Sequence, residues 1–86
     1  MEQRRFLELS DVAEELNISF AQVYALVRRG DLPAIKIGGR GQWRVERSRL
    51  EDFISRMYAE TADFIKDNPF VGGEAETAAA LRAANS

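Results

Sequence analysis

A chain of 86 residues with a hydrophobic fraction of 45% and a formal net charge of -2 has room for one small domain; domains of this size bury only about 60% of their unfolded surface. Cysteine and histidine are both absent, which excludes disulfides and thiolate metal sites and removes the commonest metal ligand and general base. No apolar run reaches the length of a membrane span, and the charged first residues do not resemble a signal peptide; the expectation is a cytoplasmic protein.

The first periodic stretch is FLELSDVAEELNIS, residues 6–19. Val12, Ala13 and Leu16 recur at helical spacing while Asp11, Glu14 and Glu15 point outward. Ser10 is the expected N-cap, with Asp11 at the positive end of the helix dipole. Asn17 is the expected stop, since asparagine tolerates the left-handed conformation that closes a helix, and Ile18 follows as an apolar plug. SFAQVYALVRRG, residues 19–30, predicts a second helix. Ser19 caps it, Val23, Leu26 and Val27 form its inward stripe, and Gly30 stands where a C-terminal glycine belongs. Two amphipathic helices joined by so short a turn are a helix-turn-helix candidate.

The period then changes. In LPAIKIGGRGQWRV, residues 32–45, Ile35 and Ile37 alternate with Ala34 and Lys36, and Trp43 and Val45 with Gln42 and Arg44. The glycines between these runs favour a hairpin turn, so a two-stranded ribbon is expected, with at least one of Gly38, Gly39 and Gly41 at positive φ. From about Glu46 to Lys66 the helical period returns. Leu50, Phe53, Ile54, Met57, Tyr58, Phe64 and Ile65 keep one face apolar until Asn68-Pro69 ends the helix. The expected division is a domain over residues 1–67 with an extended third helix, followed by a flexible tail over 68–86.

Charge follows these boundaries. Residues 19–50 hold seven basic and two acidic side chains, whereas acids outnumber bases on either side. A basic middle between acidic ends points to a face built for a polyanion; the plainer reading is chance clustering on a solvated surface. With no histidine, cysteine, spaced carboxylate pair or phosphate-loop motif, no active site can be assembled, and an enzyme is not expected.

The order helix, turn, helix, ribbon, helix is that of a winged helix-turn-helix, mainly α with a small β-hairpin. Over Leu7 to about Ile54 the chain resembles the excisionase-like domains related to the MerR regulators. The residues that carry the likeness are the Val12-Ala13 pair, the Ile18-Ser19 turn, Val23-Tyr24, Arg29-Gly30, Leu32-Pro33, Lys36, Gly38, Trp43-Arg44 and Leu50. The overall form is similar to small actinobacterial regulators of that superfamily. The resemblance implies binding to double-stranded DNA by a nucleoid-associated regulator or a recombination accessory factor, with the second helix in the major groove and the ribbon as a wing. It implies no cofactor. Without thiols or a separate effector domain, no small-molecule effector is expected.

On that reading the DNA-facing set is Ser19, Phe20, Gln22, Tyr24, Arg28 and Arg29 on the second helix, with Lys36, Arg40, Gln42 and Arg44 on the wing. Arg40 stands between glycines, where an arginine serves little packing purpose. Gln22 has the chemistry to read an adenine and Tyr24 to reach a phosphate. Other roles stay open: Trp43 as a core residue or a stacking one, Arg28 and Arg29 on phosphates or on the helix's own carbonyls, Arg44 on DNA or on an acid of the third helix. Related domains often carry threonine or serine at the position of Glu8, so the first helix departs from the pattern at its start. Phe20, Ala21, Gln22 and Ala25 are a sparse set of base readers. Beyond Ile54 the apolar stripe of Met57, Tyr58, Phe64 and Ile65 is expected to pair with a second copy of the chain. Packing on the first helix near Phe6 and Leu9, or cover by the tail, are the alternatives. A protein-interaction module with little DNA affinity is the remaining reading of the whole.

Overall fold

The structure, a computed structural model, describes residues 4–70. Its elements run β1 (Phe6–Leu7), α1 (Leu9–Leu16), α2 (Phe20–Arg28), β2 (Ile35–Ile37), β3 (Gln42–Glu46) and α3 (Arg47–Asp67). This is the winged helix-turn-helix expected from the sequence, mainly helical, with one addition. The hairpin is part of a three-stranded antiparallel sheet in the order β1-β3-β2. Phe6 and Leu7 pair with Glu46 and Val45, so β3 is the central strand. The backbone N–H of Arg47 donates to the Arg5 carbonyl at 2.7 Å and carries this pairing to the start of α3.

The start of α1 also differs. Its N-cap is Glu8, not Ser10, which lies inside the helix. Asp11 takes the reciprocal role, its carboxylate accepting from the Glu8 backbone N–H at 2.9 Å. An acid three residues after the cap satisfies a donor that the helix cannot, and faces the positive end of its dipole. Asn17 closes α1 in the left-handed conformation at φ 56°, and the Ile18 N–H bonds back to the Ala13 carbonyl at 3.0 Å. Ser19 caps α2, and Gly30 follows it at φ 80°.

The core gathers Leu7, Leu9, Val12, Val23, Val27, Leu32, Val45, Leu50 and Phe53, with Ala13, Leu16, Ile18, Leu26, Ala34, Trp43, Ile54 and Met57 packed around it. Every element but β2 contributes a buried side chain. Leu32, in the connection between α2 and the ribbon, is fully buried and fastens the wing to the helices. Burying a side chain of this size stabilises the fold by roughly 1.5–3 kcal/mol. Along β2 all three residues are exposed, Ile35 and Ile37 at 48% and 49%. The alternation is present, but no described residue buries the outer face of the ribbon.

Helix α3 is anchored at one end only. Leu50 and Phe53 are buried, Ile54 and Met57 half-buried, and every residue from Tyr58 to Phe70 is exposed. The alternative packing against the first helix is limited to Leu16, which lines an apolar groove with Phe53, Ile54, Met57, Tyr58 and Thr61. Leu9 is spent in the core, and Phe6 lines a separate groove with Pro33, Ala34, Ile35, Arg44, Glu46 and Arg49. Helix α3 ends at Asp67, with the backbone N–H of Asn68 bonded to the Phe64 carbonyl, and the expected tail follows. From Val71 onward it lies outside the described residues, and so does its role as a cover for α3.

Candidate nucleic-acid interface

Where α2, the start of α1 and the base of the wing meet, they leave a cleft of about 330 Å³. Its walls are Glu8, Leu9 and Ser10 of α1, Phe20 and Tyr24 of α2, and Gly41, Gln42, Trp43 and Arg44 of the wing. Four of the residues expected to face DNA, Phe20, Tyr24, Gln42 and Arg44, therefore share one concavity. Trp43 resolves toward the core: it is half-buried against the core cluster, and its remaining surface lines the cleft. The contribution of Ser10 was hidden by its reading as a cap. With Glu8 as the cap, Ser10 lies inside α1 and lines the cleft.

The wing is positioned by pairing of Ile35, Lys36 and Ile37 with Arg44, Trp43 and Gln42. Directly opposed residues leave the same face of a sheet, so Lys36 stands on the Trp43 side of the ribbon. Gly38 and Gly41 take φ 73° and 69° and turn the loop, which presents Arg40 at its tip. Lys36, Arg40 and Arg44 make no ion pair among the described residues. The Arg44 guanidinium donates to the Trp43 carbonyl at 2.8 Å, so the expected alternative of an acid on the third helix is not taken.

On α2 the cations divide. Arg28 donates to the Tyr24 hydroxyl at 2.8 Å, with its guanidinium 5.6 Å from the Tyr24 ring centroid. Tyrosine and arginine one turn apart thus act as a unit beside the cleft. Arg29 pairs instead with Asp31 at 3.0 Å and lines another groove with Leu26, Phe53, Arg56, Met57 and Glu60. It is not brought together with the other expected contacts. Arg56 of α3 donates to the Asp31 carbonyl and joins Asp31 to the third helix.

Ser19 and Gln22 are engaged with each other. The Ser19 hydroxyl accepts from the Gln22 backbone N–H, and the Gln22 amide oxygen accepts from the Ser19 N–H. The cap thereby fixes the orientation of the Gln22 amide, whose nitrogen and second oxygen lone pair make the donor and acceptor that an adenine edge requires. Of the described ionisable groups, Asp11 is shifted below the usual carboxylate range, chiefly by the Glu8 N–H and then by Arg4, whose guanidinium lies 2.9 Å away. No group of His, Cys, Asp and Glu residues that could hold a metal ion occurs among the described residues.

Comparison with known families settles the assignment of the fold. A family model described as a helix-turn-helix domain matches residues 6–58, from β1 to the middle of α3. The chain belongs to this excisionase-like helix-turn-helix family. Searches of curated proteins and of solved structures found no match. Family membership points to DNA as the partner, and such domains are typically not enzymes. The matched span contains the whole cleft and the wing. It stops at Tyr58, where the core ends and the exposed half of α3 begins. No helix among the described residues is long and apolar enough to cross a membrane.

Proposed function

We propose that this helix-turn-helix protein binds double-stranded DNA as a transcription regulator, with α2 in the major groove and the wing on the backbone or in the minor groove. The observation that carries the reading is the cleft between the N-terminal half of α2 and the base of the wing, with Arg44 on its wall and Lys36 and Arg40 farther out on the same wing, none of the three in an ion pair among the described residues. A helix N-terminus and a projecting hairpin separated by a cleft match a groove beside a phosphate ridge. Lys36 and Arg40, exposed and in no ion pair among the described residues, are free to displace counterions from the duplex. Ser19, Phe20, Gln22, Tyr24 and Arg28 belong to the helix side of this surface, and Lys36, Arg40, Gln42 and Arg44 to the wing side. Arg29, paired with Asp31, sits at its margin.

Two copies joined through α3 would set two recognition helices on one duplex. An accessory role in recombination uses the same surface. It differs in the arrangement of target sites, and an adjacent integrase gene would favour it. One observation favours a different class: Phe20 is 55% exposed at the head of α2, and an exposed aromatic ring suits a protein partner as well as a base.

Selection of bound duplexes from a random pool at two salt concentrations separates the readings. DNA binding predicts an enriched sequence and an affinity that falls steeply with salt. Arg40→Ala should weaken binding to all sequences and lower the salt slope by about one unit. No enrichment and no binding at low salt would favour the interaction module.

A further inference from the structure

The face that α2 offers to a groove is unusual in what it lacks. Phe20, Ala21, Gln22 and Tyr24 are exposed there. The polar atoms among them are largely committed within the chain. The amide oxygen of Gln22 holds the Ser19 N–H at 3.0 Å, the Ser19 hydroxyl holds the Gln22 N–H at 3.1 Å, and the Tyr24 hydroxyl accepts from Arg28 at 2.8 Å. In the major groove, guanine is read by two donors, adenine by a donor with an acceptor, and cytosine by an acceptor. The Ser19 and Gln22 oxygens each keep one lone pair, but in an orientation that the cap fixes, so most of what this helix head presents is the apolar surface of Phe20 and Ala21. Thymine alone presents an apolar group, its 5-methyl, and that group is recognised by apolar contact.

We propose that this recognition helix identifies its site through thymine 5-methyl groups, contacted by Phe20 and Ala21. The inference rests on the DNA-binding reading above and adds what that reading leaves open, the chemical feature of the base that is recognised. Phe20 has the reach for it, being 55% exposed at the first position of α2 and on the wall of the cleft. Ala21, next along the helix, offers a single methyl and lets the backbone approach closely. The wing cations supply affinity without sequence information, so discrimination falls to these apolar contacts. Removing one buried methyl weakens binding about fourfold, which makes each such contact modest and the site dependent on several of them.

The test uses the full chain and a duplex obtained by selection from a random pool. Each thymine is replaced in turn by deoxyuridine, which lacks only the 5-methyl group. At one or more positions the substitution should weaken binding about fourfold. In Phe20→Ser or Ala21→Ser the thymine and uracil duplexes should bind alike at the position that residue contacts. Both side chains are exposed, so neither change empties the core, and a thermal melt checks the fold. Equal affinity for thymine and uracil at every position would overturn this inference while leaving DNA binding intact. A penalty that persists in both variants would also overturn it, by assigning the effect to the duplex. Absence of binding to any duplex at low salt would overturn the functional reading and this inference together.

Discussion

The side-chain amide oxygen of Gln22 lies 3.0 Å from the backbone nitrogen of Ser19, and the Ser19 hydroxyl lies 3.1 Å from the backbone nitrogen of Gln22. The reciprocal pair satisfies two donors at the start of α2 that have no partner within the helix. It also fixes the residue that a sequence reading places nearest the bases. Ser19→Ala should cost about 1 kcal/mol of stability, and Gln22→Ala about 0.5–1.5 kcal/mol, both read by urea unfolding. Gln22→Glu keeps the acceptor and the stability, but its negative charge should weaken DNA binding in a salt-dependent way. Parental stability in Gln22→Ala, combined with altered base preference, would show that the side chain leaves the cap to read a base.

The wing loop allows a comparison within one turn. Gly38 and Gly41 have positive φ, Gly39 does not, and a Cβ built on any of the three meets nothing within 4 Å. Crowding therefore plays no part, and backbone conformation alone decides the outcome. Alanine at Gly38 or Gly41 should destabilise the hairpin by about 1–2 kcal/mol, whereas alanine at Gly39 should be neutral or slightly stabilising because it restricts the unfolded chain. Thermal melts of the three single variants check this. Three equal effects would mean that the loop takes another conformation.

These cases show where the sequence was legible. Asn17, Ser19, Gly30 and Asn68 each carry a local reason to start or stop a helix, and the structure uses them as expected. Periodicity marked the inward faces of α1, α2 and the first half of α3. What escaped was nonlocal or too short to have a period. β1 is two residues long and exists because β3 has a free edge. Leu32 sits in a connection, where no repeat marks it as core. The shift of the cap from Ser10 to Glu8 depends on Asp11 reaching back, which the acid's position three residues after the cap signals weakly. The fate of each arginine was beyond the sequence for the same reason. Arg28 turns to Tyr24 and Arg29 to Asp31, and either choice is set by a neighbour's geometry.

The Asp11 carboxylate ties this cap to acidity. It is held below its usual range by the Glu8 N–H and by Arg4. Because the folded form binds its proton more weakly than the unfolded chain, whose aspartates titrate near about 3.9, the charged group stabilises the fold above that value. The contribution fades as the pH falls through the lower folded-state value. Unfolding measured from neutral pH to below pH 3 should therefore show a loss in the parent that is smaller in Asp11→Asn. The variant should also be the less stable of the two at neutral pH. Parallel curves for the two proteins would remove Asp11 from the acid response.

The exposed half of α3 leads to the last prediction. Ile54, Met57, Thr61 and Phe64 follow one another at alternating spacings of three and four, the seam spacing of a coiled coil, with Tyr58 and Ile65 along one side. Tyr58, Phe64 and Ile65 are 75%, 63% and 62% exposed. Leaving them in water forgoes roughly 25 cal/mol for each Å² of apolar surface that a partner would cover. Where the core ends, the groove of about 270 Å³ between Leu16 and α3 opens directly onto this seam. A second copy related by a two-fold axis would bring the same seam and the same groove, so each copy could cover the other. Pairing would also bring two α2 helices to one duplex and add the weak discrimination of each. Sedimentation should therefore find the parent dimeric at tens of micromolar, and Phe64→Glu with Ile65→Glu monomeric, still folded and weaker on a two-site duplex. A monomeric parent together with undiminished DNA binding by the variant would rule out pairing through α3.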